Sequence, residues 1–374
     1  MKPIVIAGGC YFESCEAPHW RALYGSGGRA AHALIGLAPV TLHTYFPKAR
    51  EPDLYPLVAA GIEVKLTENE TALSFSYFHP LSDPALAPVR AEIRRHPALR
   101  AEGEAVLRFG MLDGDAVVGG RRVVYDPQSV GDFAPFGQNG SSAGSLALVL
   151  NAEELTAATR QDDLEAAART LLQAGAELVI VKSGVHGAFV HILGRPPVHV
   201  PAYWSDTVFK IGTGDVFSAA FTHAWAYLGR EPVEAAHAAS KSVAHYAASR
   251  ALPLPAAEAI PERRAVSARQ DGVVNLIGST ARLADRWLFE EAAWRLGELG
   301  AHVRRWDEPP DRPPADGAFL VLADQIRPES LGKIADHTLA PRLVVLSETA
   351  MSVPAGVRQT ADFTTALYWA CWLS

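Results

Sequence analysis

Short apolar runs alternate along this chain with longer stretches in which apolar residues recur at helical spacing. Residues 4–7, 146–150 and 178–181 are uninterrupted apolar runs, as expected for strands buried on both faces of a parallel sheet. Residues 216–221 and 234–249 show the helical spacing instead. The alternation predicts an α/β protein built around a largely parallel sheet.

One stretch combines glycines with an acidic residue at the start of a predicted helix. Gly212, Thr213 and Gly214 lead directly into Asp215. Unpaired amides at a helix start bind anions, and residues without side chains let a phosphate approach closely. A carboxylate there would repel an anion unless it takes the proton of an attacking hydroxyl, so we predict phosphoryl transfer with Asp215 as general base. The structural alternative is that Asp215 caps the helix and the glycines turn the chain.

This stretch resembles the second signature of the ribokinase-like carbohydrate kinases, the PfkB family, in which a Gly-Ala-Gly-Asp run precedes a helix rich in Ala and Phe. Thr213 stands at the alanine position. Over about the first 260 residues, several motifs of that family occur in the family's order. The resemblance implies a ribokinase-like three-layer α/β/α domain with a reduced β lid. It also implies ATP and Mg²⁺ as cofactors and a sugar or nucleoside hydroxyl as acceptor.

The same resemblance implies a set of substrate contacts. Gly27 and Gly28 open a helix of small residues, similar to the family's first signature, and His32 stands where that signature has Asn. Glu13 follows the first strand, nearest to the family's acidic residue for sugar hydroxyls. The alternatives are that Glu13 is a solvated loop residue and that His32 is a core residue whose ring forms a hydrogen bond to the backbone. Residues 63–66 and 72–78 alternate like the two half-exposed strands of the lid.

Two further motifs belong to the cofactor side of the resemblance. Asn151 and Glu154 form a capping box for a helix predicted to run through residue 172, and they also match the family's Asn-x-x-Glu motif. That match implies that Glu154 helps to hold Mg²⁺ indirectly, through water. Lys182, Gly184 and Gly187 resemble the strand end before the nucleotide loop, where Lys182 could reach a phosphate as a point charge. The alternative for Lys182 is a side chain that extends to solvent.

A second domain is predicted after a segment rich in proline. We place the kinase-like domain at 1–260, a linker at 261–271 and a small flavodoxin-like parallel α/β domain at 272–374. Gly278-Ser279 after its first strand is similar to the nucleoside 2-deoxyribosyltransferase-like fold, but that family's Asp-x-Gly-Thr-x-x-Glu stretch is missing. Trp287 and Trp294, seven residues apart, share a helix face. We predict that they pack in the core; the alternatives are that they stack on a base or form a dimer surface.

Composition narrows the class of protein. The 374 residues carry a net charge of −7, which argues against nucleic acid as an electrostatic partner. Three cysteines provide no disulfide framework, and no apolar run is long enough to span a membrane. The chain starts with a strand-like run rather than a signal peptide, so we expect a cytoplasmic protein. The sequence does not determine whether the chain forms a homo-oligomer.

Three hypotheses of function follow. The first is an ATP-dependent kinase of a sugar or nucleoside hydroxyl, with Asp215 as base and Gly212–Gly214 as anion hole. The second is a binding or assembly protein that keeps the kinase fold without turnover. The third is nucleoside N-glycosidase or deoxyribosyltransferase activity in the C-terminal domain.

Overall fold

The computed structural model describes residues 2–129, 133–269, 271–310, 312–324, 326, 334 and 340–374. They form two compact units. The larger unit comprises the chain up to Ser183 together with Gly187–Ser205 and Lys210–Arg264. The smaller unit comprises Gly184–His186, Asp206–Phe209 and Ala265–Ser374. Two short loop segments of the first 260 residues are therefore grouped with the smaller unit.

The larger unit contains a main sheet and a small one. Its strands are β1 (Ile4–Ala7), β2 (Phe12–Cys15), β3 (Trp20–Leu23), β4 (Val40–Pro47), β5 (Glu63–Asn69), β6 (Ser74–Tyr77), β7 (Ala85–Ala87), β8 (Leu99–Phe109), β9 (Ala116–Asp126), β10 (Ser142–Asn151), β11 (Leu178–Lys182), β12 (Ala188–Ile192) and β13 (Val198–Val200). The main sheet has the order β13-β12-β11-β10-β9-β8-β1-β4-β5. It is parallel from β11 to β5, and β12 and β13 return antiparallel.

The apolar runs that predicted the parallel sheet lie in its middle. All four residues of β1 are buried, and so are residues 147–150 of β10 and 178–181 of β11. Helices cover this sheet: α1 (Gly25–Ala33), α2 (Tyr55–Ala59), α3 (Ala152–Thr159), α4 (Leu164–Gln173), α5 (Thr213–Phe221) and α6 (Pro232–Ser249). The predicted α/β class of this part is therefore confirmed.

The small sheet corrects the predicted lid. Its order is β3-β2-β6-β7, with strands of three or four residues. Residues 63–66, which we predicted as a lid strand, belong instead to β5 at the edge of the main sheet, where they pair in parallel with β4. Alternation could not separate the two cases, because an edge strand of a covered sheet and a lid strand are both half-exposed.

The helix predicted to run from Asn151 through residue 172 is two helices. Helix α3 ends at Thr159, and the next residue, Arg160, caps it with a left-handed backbone (φ 55°). Asp163 then caps α4 by accepting hydrogen bonds from the amides of Glu165 and Ala166. A second capping carboxylate within one continuous apolar pattern is the local signal for this break.

The smaller unit is a five-stranded parallel sheet with helices. Its elements are β14 (Val273–Gly278), α7 (Leu283–Glu298), β15 (His302–Trp306), β16 (Ala318–Leu322), β17 (Leu343–Leu346), β18 (Arg358–Thr360) and α8 (Phe363–Leu373). The strand order is β15-β14-β16-β17-β18, and all neighbours are parallel. In chain order this is 2-1-3-4-5, the flavodoxin-like order. The predicted small parallel α/β domain is confirmed.

Two expectations about side chains have opposite outcomes. Trp287 and Trp294 on α7 are 70% and 64% exposed, so the prediction that they pack in the core is wrong. Cys10, Cys15 and Cys371 are free thiols and buried, as the absence of a disulfide framework predicted. None of the helices within the described ranges is long and apolar enough to cross a membrane.

Candidate active site

One arginine, Arg29, forms hydrogen bonds to both predicted carboxylates, Asp215 and Glu13. Nη1 of Arg29 donates to Oδ2 of Asp215 at 2.7 Å and to Oε1 of Glu13 at 3.2 Å. Nη2 of Arg29 donates to the other oxygen of Glu13. Glu13 comes from β2, Arg29 from α1 and Asp215 from the first turn of α5, so three separate parts of the larger unit converge here.

This cluster lies inside the protein. Arg29 is 1% exposed, Glu13 7% and Asp215 8%. Burial raises the pKa of Glu13, and the guanidinium of Arg29 opposes this without cancelling it. Burial works to lower the pKa of Arg29, but Glu13, Tyr246 and Asp215 together outweigh it and hold that pKa well above its usual range. Two carboxylates therefore share one permanent positive charge.

Arg29 also explains why position 212 is glycine. Gly212 has φ 76°, and a Cβ there would lie 2.0 Å from Nε of Arg29. The guanidinium thus packs directly on the turn that starts α5, and it lies 5.1 Å from the ring centroid of Tyr24. Our sequence reasoning missed Arg29. The signal was its position directly after Gly28 in the first signature, where a charged residue begins an otherwise small-residue helix.

The second oxygen of Asp215 is also engaged. Nε2 of Gln128 donates to Oδ1 of Asp215 at 2.7 Å. Gln128 follows β9 in a left-handed backbone conformation (φ 50°), which is uncommon outside glycine and is found at functional sites. Gln128 lies two residues after Asp126, the last residue of β9, and no local sequence signal assigned it a role at this carboxylate.

A second cluster lies where three parallel strands end. Asp126 ends β9, Asn151 ends β10 and Lys182 ends β11. Nζ of Lys182 donates to Oδ2 of Asp126 at 2.8 Å, and the hydroxyl of Ser218 donates to the same oxygen at 2.7 Å. The alternative that Lys182 extends to solvent does not describe this structure, because its ammonium is held by a carboxylate that is 0% exposed.

The charges of this second cluster influence one another. Burial raises the pKa of Asp126 and of Glu154, against the lowering effect of Lys182. Burial acts to lower the pKa of Lys182, but Asp126 and Glu154 outweigh it, so that this pKa is raised. Nζ of Lys182 would lie 3.6 Å from a Cβ placed on Gly214. The ammonium therefore stands beside the predicted anion hole.

One of the backbone amides predicted to form the anion hole is hydrogen-bonded within the turn. The amide of Thr213 donates to the carbonyl of Lys210 at 3.2 Å, and the amide of Val216 closes the first helical turn on Gly212 at 3.0 Å. Helix geometry then leaves the amides of Gly214 and Asp215 as the first-turn donors without a helical acceptor. They lie at the positive end of the helix dipole, where an anion is stabilised.

Asn151 and Glu154 form the predicted capping box. Oδ1 of Asn151 accepts from the amide of Glu154, and Oε2 of Glu154 accepts from the amide of Asn151, both at 2.8 Å. The buried Glu154 carboxylate still has Oε1, for which the described part of the chain provides no hydrogen-bond donor, so it fits a role as acceptor for a metal-bound water. Within the described ranges, no three His, Cys, Asp or Glu side chains gather as direct metal ligands.

Three predicted acceptor contacts lie outside the hydrogen-bonded cluster. The amides of Gly27 and Gly28 both donate to the carbonyl of Gly9, at 2.9 and 3.3 Å. A Cβ at Gly27 would lie 2.6 Å from the backbone of Gly8, so this glycine lets α1 pack closely on the end of β1. Nδ1 of His32 lies 3.0 Å from the carbonyl of Gly28, one turn earlier in its own helix.

Gly184 and Gly187 bound the turn between β11 and β12. Both have a positive φ, 55° and 90° respectively. A Cβ at Gly187 would lie 2.2 Å from the carbonyl of Val200, whereas one at Gly184 would meet nothing within 4 Å. Turn geometry and packing therefore account for Gly187, and Gly184 is grouped with the smaller unit.

Comparison with known protein families agrees with the predicted resemblance to the PfkB family. Residues 123–255 match the model described as pfkB family carbohydrate kinase. This range includes Gln128, the capping box, Lys182 and the Gly212–Asp215 stretch. The resemblance to that family is thereby confirmed for this part of the chain. The search of curated proteins finds no match.

Several solved structures are similar at low sequence identity. One is described as a pyrophosphate-dependent kinase in the ribokinase family complexed with a pyrophosphate analog and myo-inositol (15% identity, TM-score 0.47, covering 68% of this chain and 97% of that one). A second is a ribokinase from Thermotoga maritima, with 15% identity and a TM-score of 0.46; the match covers 70% of this chain and 96% of that one. A third is a ribokinase from Arabidopsis thaliana complexed with ribose and ATP, with 15% identity and a TM-score of 0.49; the match covers 70% of this chain and 96% of that one.

Proposed function

We propose that this protein is an ATP-dependent phosphotransferase that phosphorylates a hydroxyl of a sugar or nucleoside. The observation that carries the proposal is the position of Asp215. Its buried carboxylate lies in the first turn of α5, beside the first-turn amides, and one arginine joins it to Glu13. A base and an anion site at one helix start are what in-line transfer to a hydroxyl requires.

The proposed reaction places one role on each group. Asp215 takes the proton of the acceptor hydroxyl as the oxygen attacks the terminal phosphorus of ATP. The bond between that phosphorus and the bridging oxygen breaks, and ADP leaves with the electron pair. The amides of Gly214 and Asp215 stabilise the charge on the transferred phosphoryl group. The products are a phosphate ester and ADP, and the proton passes from Asp215 to solvent.

The acceptor side favours a neutral polyhydroxyl compound. Glu13 and Asp215 together carry one more charge than Arg29 neutralises, so an acceptor that is itself an anion would be repelled. Hydroxyl groups can donate to carboxylate oxygens that have lone pairs to spare. We therefore assign Glu13 to acceptor hydroxyls. Gly27, Gly28 and His32 would shape this side through close packing rather than through the Gly27 and Gly28 amides.

The donor side takes the phosphates of ATP. Lys182 beside Gly214 supplies a positive charge, and Gly184 and Gly187 form the turn that the family resemblance assigns to the nucleotide. Mg²⁺, when bound, would neutralise the phosphates and polarise the bond that breaks. Glu154 would orient a water of that ion through Oε1, while Asn151 fixes the carboxylate by the capping box. We take this activity to reside in residues 1–260, with the partner a small molecule in the cytoplasm.

The test is Asp215→Asn, assayed for ATP consumption against pentoses, hexoses and nucleosides with magnesium present. Removing the base should lower kcat by about 10²- to 10⁴-fold, while the dissociation constant for ATP changes little. Turnover that stays within a factor of two of the unaltered protein would refute the base role. Gln128→Ala is the matched comparison, because it removes a hydrogen bond to the same carboxylate but leaves the base.

One observation supports a second candidate, a binding or assembly protein without turnover. Both oxygens of Asp215 already accept hydrogen bonds, from Arg29 and from Gln128. A carboxylate held in this way is a poorer proton acceptor unless ligand binding displaces one donor. If the full panel of acceptors gives no turnover while the protein still binds MgATP, this second candidate replaces the first.

A further inference from the structure

A lysine that the sequence analysis did not single out lies at the start of α5. Lys210 is two residues ahead of Gly212, and its Nζ donates to the hydroxyl of Thr213 at 3.1 Å. That hydroxyl also lies 3.0 Å from the carbonyl of Lys210. The lysine side chain is therefore folded back onto the first residue of the helix, partly exposed, rather than extended into solvent.

Within the described part of the chain, no carboxylate pairs with Lys210. Its partner is a hydroxyl, and across the described ranges no Asp or Glu oxygen lies within salt-bridge distance of its Nζ. Burial lowers the pKa of Lys210, and the positive charge of Lys182 lowers it further, against the weaker opposite effects of Asp215 and Glu154. A partly buried ammonium without a directly paired carboxylate is less stable than a paired one, so a ligand that supplies negative charge would stabilise it.

Two ammonium groups thus flank one turn. Lys210 lies on Thr213, and Lys182 lies beside Gly214. Asp126 neutralises Lys182 at 2.8 Å, which leaves the charge of Lys210 for a ligand. The amides of Gly214 and Asp215 start from the same turn, so the unmatched cation and the amide donors belong to one anion site.

We propose that Lys210, positioned by the Thr213 hydroxyl, binds the polyphosphate of the phosphoryl donor. This inference deepens the proposed phosphotransfer and rests on it. It also accounts for Thr213 at the position where the resembled signature has alanine, because alanine has no hydroxyl to hold the ammonium. The ligand chemistry is a magnesium polyphosphate, which nucleoside triphosphates and inorganic pyrophosphate share.

The first experiment measures binding directly, without turnover. Full-length protein and Lys210→Met are titrated by calorimetry with MgATP and, separately, with magnesium pyrophosphate. Loss of one charged contact should weaken whichever donor binds by about 10- to 100-fold. Lys210→Arg should retain most of the affinity. Lys65→Met, at an exposed lysine of β5, is the matched control and should leave affinity unchanged.

Two further readouts separate ligand binding from a structural role. Without ligand, Lys210→Met should melt at a higher temperature than the unaltered protein, because it removes an uncompensated ammonium. The pKa of Lys210 is lowered in the free protein and rises when an anion binds, so binding takes up a proton. Affinity should therefore fall as the pH rises toward 10.5, the ordinary pKa of a lysine side chain, and Lys210→Met should abolish this slope. Thr213→Val should weaken binding less than Lys210→Met and reduce the slope.

The outcomes distinguish this inference from the proposed function. Weakened donor binding in Lys210→Met supports the inference even if no acceptor is phosphorylated, in which case the phosphotransferase proposal fails alone. Unchanged donor affinity in a variant that still turns over refutes the inference alone. If the unaltered protein binds neither magnesium polyphosphate, the inference is refuted as well. Binding of MgATP only, or of magnesium pyrophosphate only, supports it and identifies the donor.

Discussion

The two halves of the candidate site are both buried and ionic, but their charges are balanced differently. On the acceptor half, Arg29 is shared by Glu13 and Asp215, so every charge has a partner and the sum is negative. On the donor half, Lys182 is paired with Asp126, but Lys210 is not paired with any carboxylate of the described chain. The proposed acceptor half is therefore held together by its own ion pairs, whereas the proposed donor half contains an ammonium that no carboxylate of the described residues pairs with.

This difference bears on how each half responds to substitution. A buried ion pair contributes little net stability, but removing one partner leaves the other charge uncompensated. Substitutions in the acceptor half should therefore affect folding first. Substitutions at Lys210 should weaken ligand binding and should raise the stability of the ligand-free protein.

The largest effect is expected from Arg29→Met. It leaves the carboxylates of Glu13 and Asp215 buried and close together without their shared cation, so the free energy of unfolding should fall by about 3–5 kcal/mol at neutral pH. Urea denaturation of the ligand-free protein measures this. The loss should shrink as the pH is lowered, because protonation relieves the two carboxylates. A loss below about 1 kcal/mol would show that Arg29 is not the element that balances this half.

A smaller effect is expected from breaking the pair in the donor half. Lys182→Met leaves the fully buried Asp126 carboxylate with only the hydroxyl of Ser218, so it should cost about 3 kcal/mol at neutral pH. Asp126→Asn should cost less, because the side chain of Lys182 is 18% exposed whereas that of Asp126 is fully buried. Denaturation of both variants under one set of conditions tests the order. Equal costs would contradict the assignment of Asp126 as the less solvated partner.

The smallest effect concerns the pH dependence of the acceptor half. Burial raises the pKa of Glu13 above its ordinary value of 4.5, so the folded state binds this proton more tightly than the unfolded state does. The stability that this group contributes is therefore present at low pH and is lost as the pH rises from about 4.5 through the raised pKa. Glu13→Gln should flatten that part of the stability profile. An unchanged profile would mean that the Arg29 charge dominates over burial.

The elements that carry the site were largely predictable from short-range signals. The buried apolar runs predicted β1, β10 and β11, and the Asn151–Glu154 spacing predicted a capping box that the structure contains. The Gly212–Asp215 stretch predicted the start of α5. Each of these depends on residues within one turn or one strand, where steric and hydrogen-bonding preferences are decided locally.

The pairings within the site were not predictable in the same way. Arg29 and Asp215 are 186 positions apart, and Gln128 and Asp215 are 87 apart. The lid assignment of residues 63–66 failed for a related reason, since alternation does not say which sheet a strand joins. The exposed Trp287 and Trp294 show the same limit, because helical spacing places two side chains on one face without saying what that face meets.

By itself, the amino-acid sequence determined the α/β class of both parts and the helix start that holds Asp215, because these follow from local periodicity and turn chemistry. The order of the motifs was recognised from the resemblance to the PfkB family. Only the tertiary structure decided which charges neutralise one another. It set Arg29 between Glu13 and Asp215, paired Lys182 with Asp126 and left Lys210 on Thr213. The physical reason is that the strength of an ionic contact depends on distance and burial, which only the folded chain sets.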